Sequence, residues 1–384
     1  MTTIIDTEAA APSLLMAMEL GRREWKLGFT IGVGRPTRRR TMRADAWPQI
    51  ADEIAAAKAR FGVSAEAPVI SCYEAGLDGF WVHRYLASVG VTNLVVDSSS
   101  TEVNRRARRA KTDRLDVERL LALLLRYVGG ELSALRVVRV PSEVDEQSRQ
   151  LHRELLALKR DRTRVTNRIT GLLATQGVQV TVRSDFRDRL EPLLLWNGQP
   201  LPVALRGRLE RELEKVELFT TQIKGLERAR REAVRHSNEQ AVALVRRLRE
   251  LRGIGDHAAW LFVMELFAWR QLKTRRQVAA ITGLAPTPYR SGTMDREQGI
   301  SKAGNAAVRA IAIQIAWMWL LHQPQSRLAQ WYEARFAHGG QRARKIGIVA
   351  VARRLMIDLW RYLEAGVIPE GAELKLARSI ESDH

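Results

Sequence analysis

Along residues 13–98 the apolar positions fall in short dense runs bounded by polar breaks. Ser13–Leu20 and Trp25–Gly32 read as β-strands separated by the polar Gly21-Arg22-Arg23-Glu24, and a basic strand near Arg38–Arg43 follows. An Ala-rich amphipathic stretch at 46–61 predicts a helix, and Pro68–Tyr73 predicts a buried strand. A helix at 79–89, a strand at Thr92–Asp97 and a helix at Arg114–Tyr127 complete this half. Three strands in succession followed by alternating helix and strand suggest a mixed α/β sheet, not a strictly doubly wound one.

The middle of the chain changes period. Leu151, Leu155, Leu158, Val165, Ile169 and Leu172 recur at three- and four-residue spacing, interrupted by Arg162. Leu205, Leu209, Leu213, Val216, Phe219, Ile223 and Leu226 repeat the pattern after a Gly/Pro-marked connection, Trp196–Pro202. Two long helices forming a coiled-coil hairpin would look like this, and so would an ordinary helical core. Dense Arg, Lys and Glu at the other positions favour a protruding coil that makes oligomer contacts. From about 245 onward the pattern is helical again. Leu251-Arg-Gly-Ile-Gly-Asp256 is similar to a helix-hairpin-helix turn, in which backbone N–H groups can approach a phosphate. A last helix at 341–365 carries Arg342, Arg344, Lys345, Arg353 and Arg354, either for nucleic acid or as a solvated face.

Charge narrows the function. The 384 residues hold 62 Lys+Arg against 43 Asp+Glu, a net charge of +19, and 46% hydrophobic residues. Such an excess on a chain able to form cores points to a polyanionic partner, nucleic acid first, with a ribosome-associated or membrane-surface protein as the alternative. No apolar run approaches the roughly 20 residues of a spanning helix. The N-terminus lacks a secretory pattern, so a reducing bacterial cytoplasm, close to the nucleoid, is expected. One cysteine and seven scattered histidines leave oxygen ligands for any metal.

Four acids stand where strand ends and a helix start should be. Glu19 closes the first strand, Glu74 follows the buried strand, and Asp113 and Asp116 lie three apart in Lys111-Thr-Asp-Arg-Leu-Asp116. Converging carboxylates repel unless a divalent cation joins them, and oxygen ligands alone suit Mg²⁺ or Mn²⁺. Taken singly, each has a plainer role: Asp113 on a helix dipole, Asp116 paired with Arg114 or Arg119, Glu74 opening a loop. The neighbouring run with Arg105, Arg106, Arg108, Arg109 and Lys111 suits a phosphate backbone.

The strand acid, the Tyr73-Glu-Ala-Gly76 segment and Lys-Thr-Asp-x-x-Asp resemble the DEDD-type transposases of bacterial insertion sequences. Leu251-Arg-Gly-Ile-Gly255, Gly283-Leu-Ala-Pro286, Arg290-Ser-Gly292 and Gly299-Ile-Ser-Lys-Ala-Gly-Asn305 follow in that family's order. The resemblance spans about 14–365. It departs at Glu19, where the family has Asp, and after Glu74, where Ala-Gly-Leu replaces Ala-Thr-Gly.

The resemblance implies a RuvC/ribonuclease H-like domain at 13–130 that holds the metal, a helical coiled-coil hairpin at 143–236 for oligomerisation, and a mostly helical C-terminal transposase domain at 245–365. It also implies a recombinase that cuts and rejoins DNA through a serine–DNA intermediate. The matching serine is Ser291, read from the sequence as a loop residue after Pro286 and Pro288, with Arg290 to neutralise the attacked phosphate. Ser301 is the competing serine, although Ser301-Lys-Ala-Gly reads as a helix N-cap; Lys302 and Asn305 are candidate phosphate contacts. A bridge RNA pairing with donor and target DNA, and a tetramer (a dimer of dimers) in which one subunit's acids face another's serine, are implied as well. A metal-only, RuvC-like nuclease and a non-catalytic nucleic-acid scaffold are the alternatives.

Overall fold

Every position of the first strand is apolar up to its acid, and the structure gives each side of the strand its own core. In this computed structural model Leu14, Met16 and Met18 of β1 (Leu14–Leu20) join Trp25, Leu27 and Phe29 of β2 (Glu24–Thr30) in one apolar cluster. Leu15 and Ala17 join a second cluster on the opposite side. A strand buried on both faces reads as a continuous apolar run, which is why the pattern does not alternate. The structure describes residues 12–76, 79–97, 113–291, 294–302 and 304–375, with backbone alone at 113–115 and 288–298, and divides into a unit ending at Val140 and one beginning at Pro141.

The first unit is a five-stranded sheet in the order β3-β2-β1-β4-β5. β3 (Arg38–Arg43) pairs antiparallel with β2, and β2 antiparallel with β1. β4 (Val69–Glu74) runs parallel to β1, and β5 (Thr92–Val96) parallel to β4. The expected mixed sheet is therefore present. One face is covered by α1 (Ile50–Phe61) and α2 (Trp81–Ser88), through Ile50, Ile54, Ala57, Val82 and Leu86. The other is covered by α3 (Asp113–Val128), through Leu120, Leu121 and Leu124. Gly28 makes this second layer possible, because a Cβ there would lie 2.7 Å from Val117 Cγ1.

The second unit opens with α4 (Glu143–Ser148), capped reciprocally by Ser142 and Asp145, and continues into α5 (Gln150–Ala174). After a connection containing α6 (Phe186–Leu190), α7 (Val203–His236) returns antiparallel to α5. Ion pairs show the direction: Lys159–Glu227 at 2.7 Å and Arg168–Glu212 at 2.8 Å. Val165, Ile169 and Leu173 pack against Leu209 and Leu213, and Phe186, Leu190 and Leu201 close the far end. The connection is longer than the Gly/Pro signal suggested, beginning right after Ala174.

Then come α8 (Gln240–Arg249), α9 (Asp256–Phe262) with a π-helical turn at Val263–Phe267, and α10 (Arg275–Ile281). A hairpin of β6 (Pro286–Ser291) and β7 (Met294–Ile300) interrupts the helices before α11 (Ala306–His322), α12 (Arg327–Tyr332) and α13 (Gln341–Ala365). This half is mostly helical as expected, but the hairpin is an addition that the helical reading lacked. α13 is a core helix, with Ile348, Val351, Ala352, Leu355, Met356 and Leu359 buried, so its basic residues occupy only what the core leaves over. Among the described residues no helix is long and apolar enough to cross a membrane.

Candidate active site

Strand register brings the first two acids together. The β1–β4 ladder runs from Leu14↔Val69 to Met18↔Tyr73, so the next step sets Glu19 beside Glu74 at the carboxyl ends of adjacent parallel strands. Alternation puts Glu19 on the side of Leu15 and Ala17, and Glu74 on the side of Ile70 and Cys72. That is the face α3 covers. Val117 abuts Gly28, the register partner of Ala17, and Asp116 directly precedes Val117 in the first turn of the helix. Glu19, Glu74 and Asp116 are all half-buried.

Asp113 begins α3, three residues from Asp116, but its side chain lies outside the described residues. Among the described residues no three His, Cys, Asp or Glu side chains come close enough to hold a metal ion. The donor chemistry still fits one class of ion only. Cys72 is buried two residues before Glu74, and burial, then the Glu74 charge, pushes its thiol up to about 12. The other donors on this face are the carboxylate oxygens of Glu19, Glu74 and Asp116, which suit a hard divalent cation. The basic run with Arg105, Arg106, Arg108, Arg109 and Lys111 lies outside the described residues.

The candidate nucleophile is at a strand end. Ser291 is the last residue of β6 and is registered with Met294, while Arg290 is registered with Asp295, so the expected loop is a hairpin. The base of that hairpin is fixed by backbone bonds: Ser301 N–H donates to Ala285 O (2.9 Å) and Lys302 N–H to Gly283 O (3.1 Å). Lys302 adopts a left-handed φ of 55° and is exposed. Gly304, at φ 73°, passes so close to Ile281 that a Cβ would lie 2.0 Å from its carbonyl oxygen. Asn305 then caps α11, its Oδ1 accepting from Ala307 N–H (2.9 Å) and Val308 N–H (3.3 Å). The cap is thus Asn305 and not Ser301, and only the Asn305 amide N–H₂ is left to meet a ligand.

The Gly-Ile-Gly turn has a different occupant from the one expected. Asp256 stands in the first turn of α9 and pairs with Arg249. Its carboxylate adds negative charge to that helix start, which disfavours a phosphate there.

A buried charge cluster was missed. Glu265, in the π-helical turn, accepts from His152 Nε2 at 2.8 Å and from Arg153 Nε at 2.8 Å, so it ties the base of α5 to the helical body. Burial pushes its carboxyl up, but the His152 and Arg153 bonds outweigh this and bring it down to about 2. Arg149, buried beside it, lies over the Trp269 ring with 4.8 Å to the centroid. The available signal was one acid inside the apolar run Trp260–Trp269.

Comparison with known proteins accounts for the C-terminal half first. Residues 245–331 match the family described as "Transposase IS116/IS110/IS902 family", a segment running from α8 through the hairpin to α12. The chain is 40% identical over 377 residues to the "Putative transposase y4rJ" of Sinorhizobium fredii, covering 94% of this chain and 95% of that one. The chain belongs to the IS116/IS110/IS902 transposase family. Two more distant relatives agree. The "Transposase for insertion sequence element IS1328" of Yersinia enterocolitica is 27% identical over 231 residues, covering 59% of this chain and 66% of its own. The "Transposase for insertion sequence element IS1111A" of Coxiella burnetii is 24% identical over 290 residues, covering 73% and 74%. The segment matched by the family contains the hairpin, Gly304 and Asn305, whereas the four acids of this transposase lie in its N-terminal unit, two on strands and two on α3.

Proposed function

We propose that this transposase cuts and rejoins DNA with two half-sites, an acidic one at Glu19, Glu74, Asp113 and Asp116 and a nucleophilic one at Ser291. The observation that supports this most is the register that sets Glu19 beside Glu74 under the first turn of α3. The sheet order β3-β2-β1-β4-β5 supports a RuvC/ribonuclease H-like assignment of this unit.

The four carboxylates would hold Mg²⁺ or Mn²⁺. Such an ion supplies charge neutralisation at phosphate oxygens. The Ser291 hydroxyl oxygen bonds to phosphorus, the bond from phosphorus to one sugar oxygen breaks, and that oxygen leaves as a hydroxyl carrying a proton. Arg290 offsets charge on the attacked phosphate. Rejoining is the same exchange in reverse with a new strand end, so no phosphodiester energy is lost. The segment carrying Arg105, Arg106, Arg108, Arg109 and Lys111, with Lys302 and the Asn305 amide, holds backbone phosphates. A bridge RNA selects donor and target DNA by pairing, and α5 and α7 assemble the chain as a tetramer, so that one subunit's acids meet another's serine.

A suicide DNA substrate with cognate RNA and Mg²⁺ tests the reading. A covalent protein–DNA adduct that disappears in Ser291→Ala and in Glu74→Gln is expected. An adduct surviving Ser291→Ala removes the serine from the mechanism. Cleavage with no adduct means a metal-only nuclease, and no cleavage means a scaffold. Sequencing RNA that copurifies, and light scattering of the eluted complex, check the guide and the tetramer.

A further inference from the structure

A cleft lies away from Ser291 in sequence, among α10, α12, α13 and the segment after α13. Its volume is about 770 Å³, and six arginines line it: Arg275, Arg276, Arg327, Arg353, Arg354 and Arg361. Two acids answer them, Glu370 paired with Arg327 at 2.6 Å and Asp358 with Arg361 at 4.0 Å. Six cations against two anions in one concavity repel one another until a polyanion enters.

The rest of the lining is aromatic and apolar. The Arg354 guanidinium lies 3.7 Å from the Trp331 ring centroid, and the Phe336 ring meets Trp331 edge-on with 5.3 Å between centroids. Trp331 is therefore held in place, half-buried, along the cleft. Val367 (56% exposed) and Ile368 (45% exposed) form an uncovered apolar wall. A basic groove with an aromatic ring and apolar wall is the chemistry of single-strand recognition, where phosphates meet arginines and bases meet flat or apolar surface. A duplex keeps its bases stacked and offers such a wall nothing.

We propose that this cleft binds a single-stranded nucleic-acid segment of about two nucleotides, which a pocket of this size accommodates. Its phosphates lie on Arg275, Arg276 and Arg353, and a base rests against Trp331, Val367 and Ile368. Repulsion within the cluster supports this: burial first, then the charges of Arg353 and Arg335, lowers the Arg354 pKa. The proposal rests on the reading of the chain as a nucleic-acid enzyme and names where an unpaired strand is gripped.

The test uses full-length protein and fluorescent oligouridine, oligothymidine and duplex DNA, titrated by anisotropy at several salt concentrations. In the double variant Arg275→Gln/Arg353→Gln, single-strand affinity falls about 10-fold or more, and the salt slope falls by about 1.4, the value for two lost phosphate contacts. The variant Arg228→Gln/Arg231→Gln, with the same charge change on exposed positions of α7, keeps wild-type affinity within about 2-fold. Tighter binding of oligouridine assigns the cleft to an unpaired stretch of RNA, and tighter binding of oligothymidine to a displaced DNA strand; either supports the site.

Equal loss in both double variants, a fall in duplex affinity in Arg275→Gln/Arg353→Gln as large as the fall in single-strand affinity, or competition by polyglutamate as strong as by oligouridine overturns it. Arginine modification by phenylglyoxal on the wild-type protein gives an independent readout that needs no variant to fold. Bound oligonucleotide protects Arg275 and Arg353 but not Arg228, and absence of that protection overturns the proposal. Failure to bind any nucleic acid would instead overturn the function proposed above, so the two failures are distinguishable.

Discussion

The two candidate half-sites are built on opposite principles. Glu19 and Glu74 end strands buried on both faces, with α1 and α2 on one side and α3 on the other. Ser291 ends a strand in a two-stranded ladder, a construction that is marginal by itself in water. The first arrangement holds like charges at fixed separation, which a cation site requires. The second ends on Ser291, and its stiffness comes from the base, where Gly283 and Ala285 accept from Lys302 and Ser301 and Gly304 lies against Ile281. The contacts that hold this strand end thus lie well away from Ser291.

Four substitutions or titrations break that contrast, from the largest effect down. Gly304→Val requires the Ile281 carbonyl to move and a β-branched residue to take φ 73°, so a loss of about 4 kcal/mol is expected by denaturant unfolding, with the DNA adduct lost too. A variant with wild-type stability and adduct yield would show that the hairpin base is not its anchor.

Glu265→Gln leaves His152, Arg153 and buried Arg149 without their anion and costs about 3 kcal/mol. The same group sets a pH dependence. Its folded pKa of about 2 lies below the ordinary 4.5, so its contribution is present above pH 4.5 and is lost as pH falls toward 2. His257, pushed down to about 4 by burial and then by Arg230, adds a loss between pH 6.5 and 4. Calorimetry across pH should therefore show two acid windows in the wild type, and only the upper one in Glu265→Gln.

Gly28→Ala meets a methyl of the stiff, buried Val117 side chain, which must shift with its helix, where Gly304 meets backbone, and about 2 kcal/mol is expected. A cost equal to that of Gly304→Val would erase the distinction between the two half-sites. Removing the exposed Arg39–Glu118 pair (3.0 Å) by Arg39→Gln changes the melting free energy by about 0.5 kcal/mol or less.

The sheet was legible because burial leaves a periodic or continuous apolar trace, and β3, although basic, pairs residue for residue where Arg38–Arg43 suggested it. The strand-end placement of Glu19 and Glu74 was legible because each acid interrupts a continuous apolar run. The hairpin was not, since Pro286–Ser291 and Met294–Ile300 are polar and carry two prolines, and their pairing is supported by the backbone contacts at the base. Asn305 went unrecognised as the cap because Ser301 has the same chemistry, and only the left-handed passage through Lys302 and Gly304 decides which residue reaches the helix start. α13 was half legible: its apolar positions recur at helical spacing, yet the arginines beside them drew attention outward, while the cleft they line needs α10 and α12 to exist.

The Glu265 joint has a mechanical consequence. α5 is 25 residues long, about 37 Å, and its base is pinned through His152 and Arg153 to a single carboxylate. A tilt of about 10° at that pivot sweeps the far end of the arm through about 6 Å. A small repacking around the π-helical turn would therefore reach the end closed by Phe186, Leu190 and Leu201 as a displacement the size of a base-pair step or more, with the carboxylate as its fulcrum.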